Sequence, residues 1–179
     1  MIDVYDTDSL PVTRWRNGGG ETREIISFPP RSAQFAWRAS IASIASSGAF
    51  SFFPGVDRVI TLLEGEGVAL ASPGAFDRQL ALFEPFAFAG EAEVNARLSG
   101  PESLDFNIMT RRGVCRATVI ATRQPQQADA GVFWVIDGRW QAGSLSFTRG
   151  QGAWWNGRAV EVRPASGEAH LLFAAIVYD

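Results

Sequence analysis

From Gln34 to Ile41 the chain alternates. Phe35, Trp37, Ala39 and Ile41 fall on one side of an extended strand, and Gln34, Ala36, Arg38 and Ser40 on the other. Leu104–Met109 repeats the pattern, with Leu104, Phe106 and Ile108 opposite Asp105, Asn107 and Met109. Over Asp57–Glu64, Arg58 shares a face with Ile60, Leu62 and Glu64. Three strands are therefore predicted, and Arg38, Ser40 and Asn107 lie on the less apolar faces of two of them. Such a face either meets solvent or lines an interior space.

The rest of the chain keeps this short-strand rhythm. Residues 2–5 read as an edge strand, and Thr22–Phe28, Phe50–Phe53, Val68–Ala71, Arg78–Phe83, Val94–Leu98 and Val114–Ala121 as further strands. Gly and Pro punctuate them, as at Pro54-Gly55 and Ser72-Pro73-Gly74. Val132–Ile136, Asp137-Gly138 and Arg139-Trp140 carry the signature of a hairpin. Leu171–Tyr178 is nearly all apolar and so is expected to be central. Thr122–Gly131 is polar and is expected to be a loop. No segment shows a sustained helical period. An all-β fold follows, built as sandwiches or barrels. The strands group into a set up to about residue 110 and a shorter set after it. Two units are therefore expected, 1–110 and 111–179, the second packed on the first.

Trp15-Arg16-Asn17-Gly18-Gly19-Gly20-Glu21-Thr22 interrupts the pattern. Three glycines build neither helix nor strand well. They serve either a tight loop between strands or a nest of N–H groups that receives an anion.

Composition narrows the chemistry. The 179 residues are 46% hydrophobic and 20% charged, a globular balance that can bury a core. The net charge of −3 argues against a nucleic-acid binder with a broad basic surface. One cysteine, Cys115, cannot form an intrachain disulfide, and no run approaches the ~18 apolar residues of a membrane helix. The acidic first residues do not resemble a signal peptide. A soluble cytoplasmic protein is expected, without nucleic-acid or membrane partners. The single histidine, His170, excludes a metal site built on several histidines from one chain. Every cationic side chain is arginine, the residue suited to bidentate recognition of carboxylate or phosphate.

Three segments together go further than composition. They are Trp15–Ile25 with its WRNGGGETREI run, Trp37–Ile44 (WRASIASI) and Asp105–Arg112 (DFNIMTRR), with Gly48–Arg58 between the last two. The chain resembles the HutD/Ves family over nearly its whole length. The resemblance implies a cupin-type fold of the RmlC-like jelly-roll kind, with two barrels in one chain, a bicupin. It also implies, for some members, a link to histidine utilisation through binding of N-formyl-glutamate or a related intermediate, with no established catalysis. A homodimer fits the cupin fold by analogy. Metal-binding cupins carry a His-x-His pair and a Glu near the strand corresponding to Phe50–Gly55, and this segment has none. No metal or other cofactor is expected.

The candidate ligand-binding residues are Asn17, Gly18, Gly19, Gly20, Thr22, Arg38, Ser40, Arg58 and Asn107. Together they offer guanidinium groups and neutral donors to a small acidic metabolite. The bland alternative is that Arg38 and Arg58 are solvated or paired with Glu24, Asp57 or Asp105. Glu24 and Asp105 could instead serve a metal-independent isomerase or hydrolase as acid and base, although no activated nucleophile accompanies them. A third reading is an interaction module displaying the Trp-rich second half, Trp134, Trp140, Trp154 and Trp155.

Overall fold

A computed structural model describes residues 2–179. The described residues form seventeen strands and a single 3-10 turn at Thr7–Ser9, so the all-β expectation holds. No helix among them is long and apolar enough to cross a membrane. The chain divides into two compact units. One is Pro11–Val114; the other joins the described residues up to Leu10 to Cys115–Asp179. The division expected after residue 110 falls at Val114. The first strand, β1 (Asp3–Asp6), belongs to the unit formed by the chain's second half, because it pairs with residues Gln151–Trp154.

Pro11–Val114 contains two sheets. The larger runs β2 (Val12–Arg14), β3 (Gly20–Phe28), β4 (Trp37–Ile44), β11 (Ser103–Arg111), β6 (Val56–Glu64) and β9 (Phe86–Ala89). The smaller runs β5 (Gly48–Ala49), β10 (Asn95–Leu98), β7 (Val68–Ser72) and β8 (Phe76–Leu80). Ile44, Ile60 and Leu62 from the first sheet share one buried cluster with Val68, Leu70, Leu80 and Ala96 from the second. This is a sandwich core, in which inward-facing residues of both sheets leave water together. Both strand paths are open, so closed barrels are not formed here. The expected strand Phe50–Phe53 is not formed. Only Gly48–Ala49 is strand, and beyond it the chain is irregular, held by Phe50 N–H on Val94 O and Phe53 N–H on Gly90 O.

In the other unit the sheet order is β12 (Cys115–Thr122), β17 (His170–Tyr178), β13 (Gln126–Asp137), β16 (Gln151–Pro164), β14 (Trp140–Ala142) and β15 (Leu145–Phe147), with β1 added on β16. β17 lies between β12 and β13, the interior position its apolar run calls for. Two expectations are corrected. Thr122–Gly131 is mostly strand: Gln126 and Ala128 are half-buried while Gln127 and Asp129 are exposed, a period of two masked by polar composition. The turn at Asp137-Gly138 exists, with Gly138 at φ +73°, but β14 pairs with β15 and β16 rather than β13. That path delivers Trp140 into a core with Phe133, Phe147, Trp155 and Phe173. Phe133 and Phe147 meet edge to face at 4.9 Å. Trp134, Trp140 and Trp155 are all buried and Trp154 is half-buried, so no Trp-rich surface is displayed.

Candidate functional site

Strand register places the polar residues of the larger sheet in three rows. Thr22, Ala42 and Asp105 form one, Ser40 and Asn107 the next, and Arg38, Met109 and Arg58 the third. The same face of β4 and β6 continues into Ile44, Ile60 and Leu62 of the sandwich core. Leu62 and Ile60 stand opposite Asp105 and Asn107, so this face carries its polar groups on β4 and β11 and at Arg58, beside apolar neighbours on β6. A cavity of about 480 Å³ opens over the polar part. That is within the range of small-molecule sites. The residues Thr13–Asn17 and Ala49–Ser51 with Phe53 complete its walls.

Of the residues singled out in the sequence, Asn17, Thr22, Arg38, Ser40, Arg58 and Asn107 line this one cavity. Gly18, Gly19 and Gly20 do not. Their run is the hairpin turn between β2 and β3, closed by Trp15 N–H on Gly20 O. The Gly18 N–H donates to Trp15 O at 3.0 Å and the Gly19 N–H to Asn17 Oδ1 at 2.8 Å. Those two donors are consumed within the turn, so the nest expected to hold an anion is not open. The glycines serve the backbone instead. Gly18 sits at φ +74°, and a Cβ on Gly20 would stand 2.3 Å from the Ser43 carbonyl oxygen. The turn positions Trp15, whose Nε1 donates to Thr22 Oγ1 at 2.8 Å.

Arg58 is the most constrained group in the cavity. It is 7% exposed and lies among the rings of Phe50, Phe53 and Phe88, 4.9–5.4 Å from its guanidinium carbon. Its Nη1 reaches Ser51 O at 3.4 Å, and its Nε is buried without a hydrogen-bond partner. Burial lowers its pKa to about 10; Asp105 opposes that shift and Arg38 adds to it. At neutral pH it remains a cation.

Asp105 is the acidic counterpart. Asn107 Nδ2 donates to its Oδ2 at 2.9 Å, while Oδ1 is buried and bare. Burial raises its pKa to about 7, against the pull of Asn107 and Arg58. Arg38 donates from Nε to Glu24 Oε1 at 2.9 Å. Glu24 is half exposed and does not line the cavity. Counting Arg14 and Arg16, four arginines and one carboxyl line the cavity of a chain whose net charge is −3. The local field thus favours an anion.

The aromatic enclosure is not legible in the sequence. Phe50 and Phe53 lie in an irregular segment where no period announces a role. Asp105 carried a signal, since it alternates in phase with Asn107. A second cavity, of about 490 Å³ in the other unit, is lined by Val4, Leu10, Leu145 and Phe147 with Asp6 as its single charged group. It offers no cation to an acid. Among the described residues, no group of three or more His, Cys, Asp or Glu is gathered where it could hold a metal ion.

The HutD family profile matches residues 7–173. Protein Ves of Cronobacter sakazakii is 48% identical over 181 residues, covering 99% of both chains. Protein Ves of Citrobacter koseri is 49% identical, covering 99% of this chain and 95% of its own. Among solved structures, HutD from Pseudomonas fluorescens SBW25 superposes with a TM-score of 0.87 at 26% identity and full coverage of both chains. A conserved protein of unknown function from Pseudomonas aeruginosa PAO1 gives 0.85 at 25% identity, covering 100% of this chain and 99% of its own. An oxalate decarboxylase from Lactobacillus farciminis gives 0.68 at 7% identity, covering 99% of this chain and 87% of its own; it shares the fold alone.

Proposed function

The chain belongs to the HutD family, and on that premise we propose that it is a cytoplasmic binding protein for a small acidic metabolite, working without a metal or other cofactor. The ligand is N-formyl-glutamate or a related intermediate of histidine breakdown, and its binding modulates histidine utilisation. The two units are then the two halves of a bicupin. One observation carries the reading: Arg58 is a buried cation whose Nε has no partner, facing a cavity that Arg38, Ser40 and Asn107 also line. A buried guanidinium without its acceptors is costly, and a ligand carboxylate supplies them in the fork geometry that arginine prefers.

The test is a thermal-shift and calorimetric panel of histidine, urocanate, glutamate and N-formyl-glutamate. A ligand at 100 times its Kd should stabilise the fold by about 2.7 kcal/mol. No stabilisation by any of the acids at millimolar concentration would sink the proposal.

A second reading has its own observation. Asp105 lines the cavity with its pKa raised to about 7, the range a general acid or base needs near neutral pH. A metal-independent isomerase or hydrolase would use it. That reading requires turnover of a panel acid that Asp105→Asn abolishes while binding persists.

A further inference from the structure

Asp105 and Arg58 are both buried in the same cavity, and each leaves one polar atom unpartnered, Oδ1 and Nε respectively. They do not satisfy each other. Arg58 turns its Nη1 to Ser51, and Asn107 occupies only Oδ2 of Asp105. Buried carboxylate oxygens ordinarily collect N–H or O–H donors, and a bare one is destabilising. A plain dicarboxylate would satisfy Arg58 but bring another acceptor towards Oδ1. A carboxylate that also carries an N–H group satisfies both atoms.

We propose that Asp105 Oδ1 accepts a hydrogen bond from an N–H of the ligand, so that this cavity selects carboxylates bearing an amide or amine over plain dicarboxylates. The proposal rests on reading the cavity as a carboxylate site and names the specificity-determining residue within it. The charged groups sharing the cavity with Asp105 are Arg58 on β6, Arg38 on β4, and Arg14 and Arg16 on the hairpin; Asn107 is its neighbour on β11. None of these is a second carboxylate that could take the ligand's N–H in its place.

Matched pairs test this on the full chain by titration calorimetry: succinate against N-acetyl-aspartate, and glutarate against N-acetyl-glutamate, each at pH 6 and pH 8. Within the pair that fits, the acetylated member should bind at least tenfold tighter at pH 8. The advantage should shrink at pH 6. Ionised Asp105 accepts the N–H, whereas only the protonated form can donate to a plain diacid. In Asp105→Asn, the carboxamide oxygen stays on Asn107 Nδ2 and the NH2 faces the cavity, so the advantage should fall below threefold. Equal affinities within both pairs at both pH values would overturn the proposal while leaving the carboxylate site standing. So would an advantage that survives the substitution. Failure of all four acids to bind would remove the carboxylate site and this inference together. If the variant does not fold, the pH comparison on the unsubstituted protein decides alone.

Discussion

The guanidinium carbon of Arg58 stands 4.9 Å from the centre of the Phe88 ring, the residue opposite it across the β6–β9 pair. With the rings of Phe50 and Phe53 at 5.4 and 5.2 Å, the arginine has exchanged water for ring faces. At about 0.5–2 kcal/mol each, the three contacts together offset much of the several kcal/mol it takes to bury an ion. Ring faces supply no hydrogen-bond acceptor in the guanidinium plane, and Nε stays without one.

Arg58→Met should separate stability from binding. Replacing a buried ion pair by apolar chains is commonly neutral or stabilising by about 1–4 kcal/mol. Arg58 makes no direct ion pair among the described residues, and Asp105, its charged neighbour with a pKa of about 7, can take up a proton when the cation is removed. Urea melts should show stability unchanged or raised, while calorimetry shows affinity for the best acid reduced at least 100-fold. Marked destabilisation would instead make Arg58 a structural residue.

Glu24→Gln and Arg38→Ala should differ. Glu24 sits outside the cavity wall and is half exposed, so losing its ion pair with Arg38 should change ligand affinity by less than threefold. Arg38→Ala removes a lining cation and should weaken binding about tenfold or more. Loss of binding in Glu24→Gln would mean that Arg38 depends on its partner for position.

Gly20→Ala should cost far more than Gly18→Ala. At Gly20 the new Cβ meets the Ser43 carbonyl at 2.3 Å and the Trp15 ring at 3.0 Å, so β3 must shift from β4. A loss of about 2–4 kcal/mol is expected. At Gly18 nothing lies within 4 Å of the new atom, and the positive φ alone should cost about 1–2 kcal/mol. Denaturant midpoints of the two variants check the order.

Stability should fall as pH rises from about 4 to 7. Asp105 has its pKa raised from 3.8 to about 7, so across that window the folded state keeps a proton that the unfolded chain has released. The slope is about 1.4 kcal/mol per pH unit and flattens above 7. His170, its pKa lowered chiefly by burial, opposes this by losing stability as pH falls below 6.5. Glu91, held near 2 chiefly by its hydrogen bonds from Arg112 and the Gly55 N–H, acts only in stronger acid. Urea melts at pH 5 and pH 8 isolate the Asp105 part: Asp105→Asn should be more stable than the parent at pH 8, with less of that advantage at pH 5.

Much of the site was legible because strand alternation is strict. Arg38, Ser40 and Asn107 were assigned to common faces by counting in twos, and register brings those faces together over one cavity. Register itself was not legible, since which strands neighbour one another depends on distant sequence. The glycine run misled for a related reason. Its composition fits an anion nest as well as a hairpin turn, and only the hydrogen bonds to Trp15 and Asn17 distinguish them. The polar start of β13 hid a strand, and the Asp137-Gly138 turn announced a pairing that β16 takes instead.

β1 has consequences for assembly. Its partner residues, 151–154, lie about 150 positions further along the chain. During synthesis Pro11–Val114 can complete both of its sheets while Asp3–Asp6 still has nothing to pair with. Asp3–Asp6 thus wait for partners that are made about 150 residues later. Contacts of such long sequence separation close slowly. A chain shortened to end before residue 150 should therefore leave Asp3–Asp6 without its partner strand, an edge available to other chains.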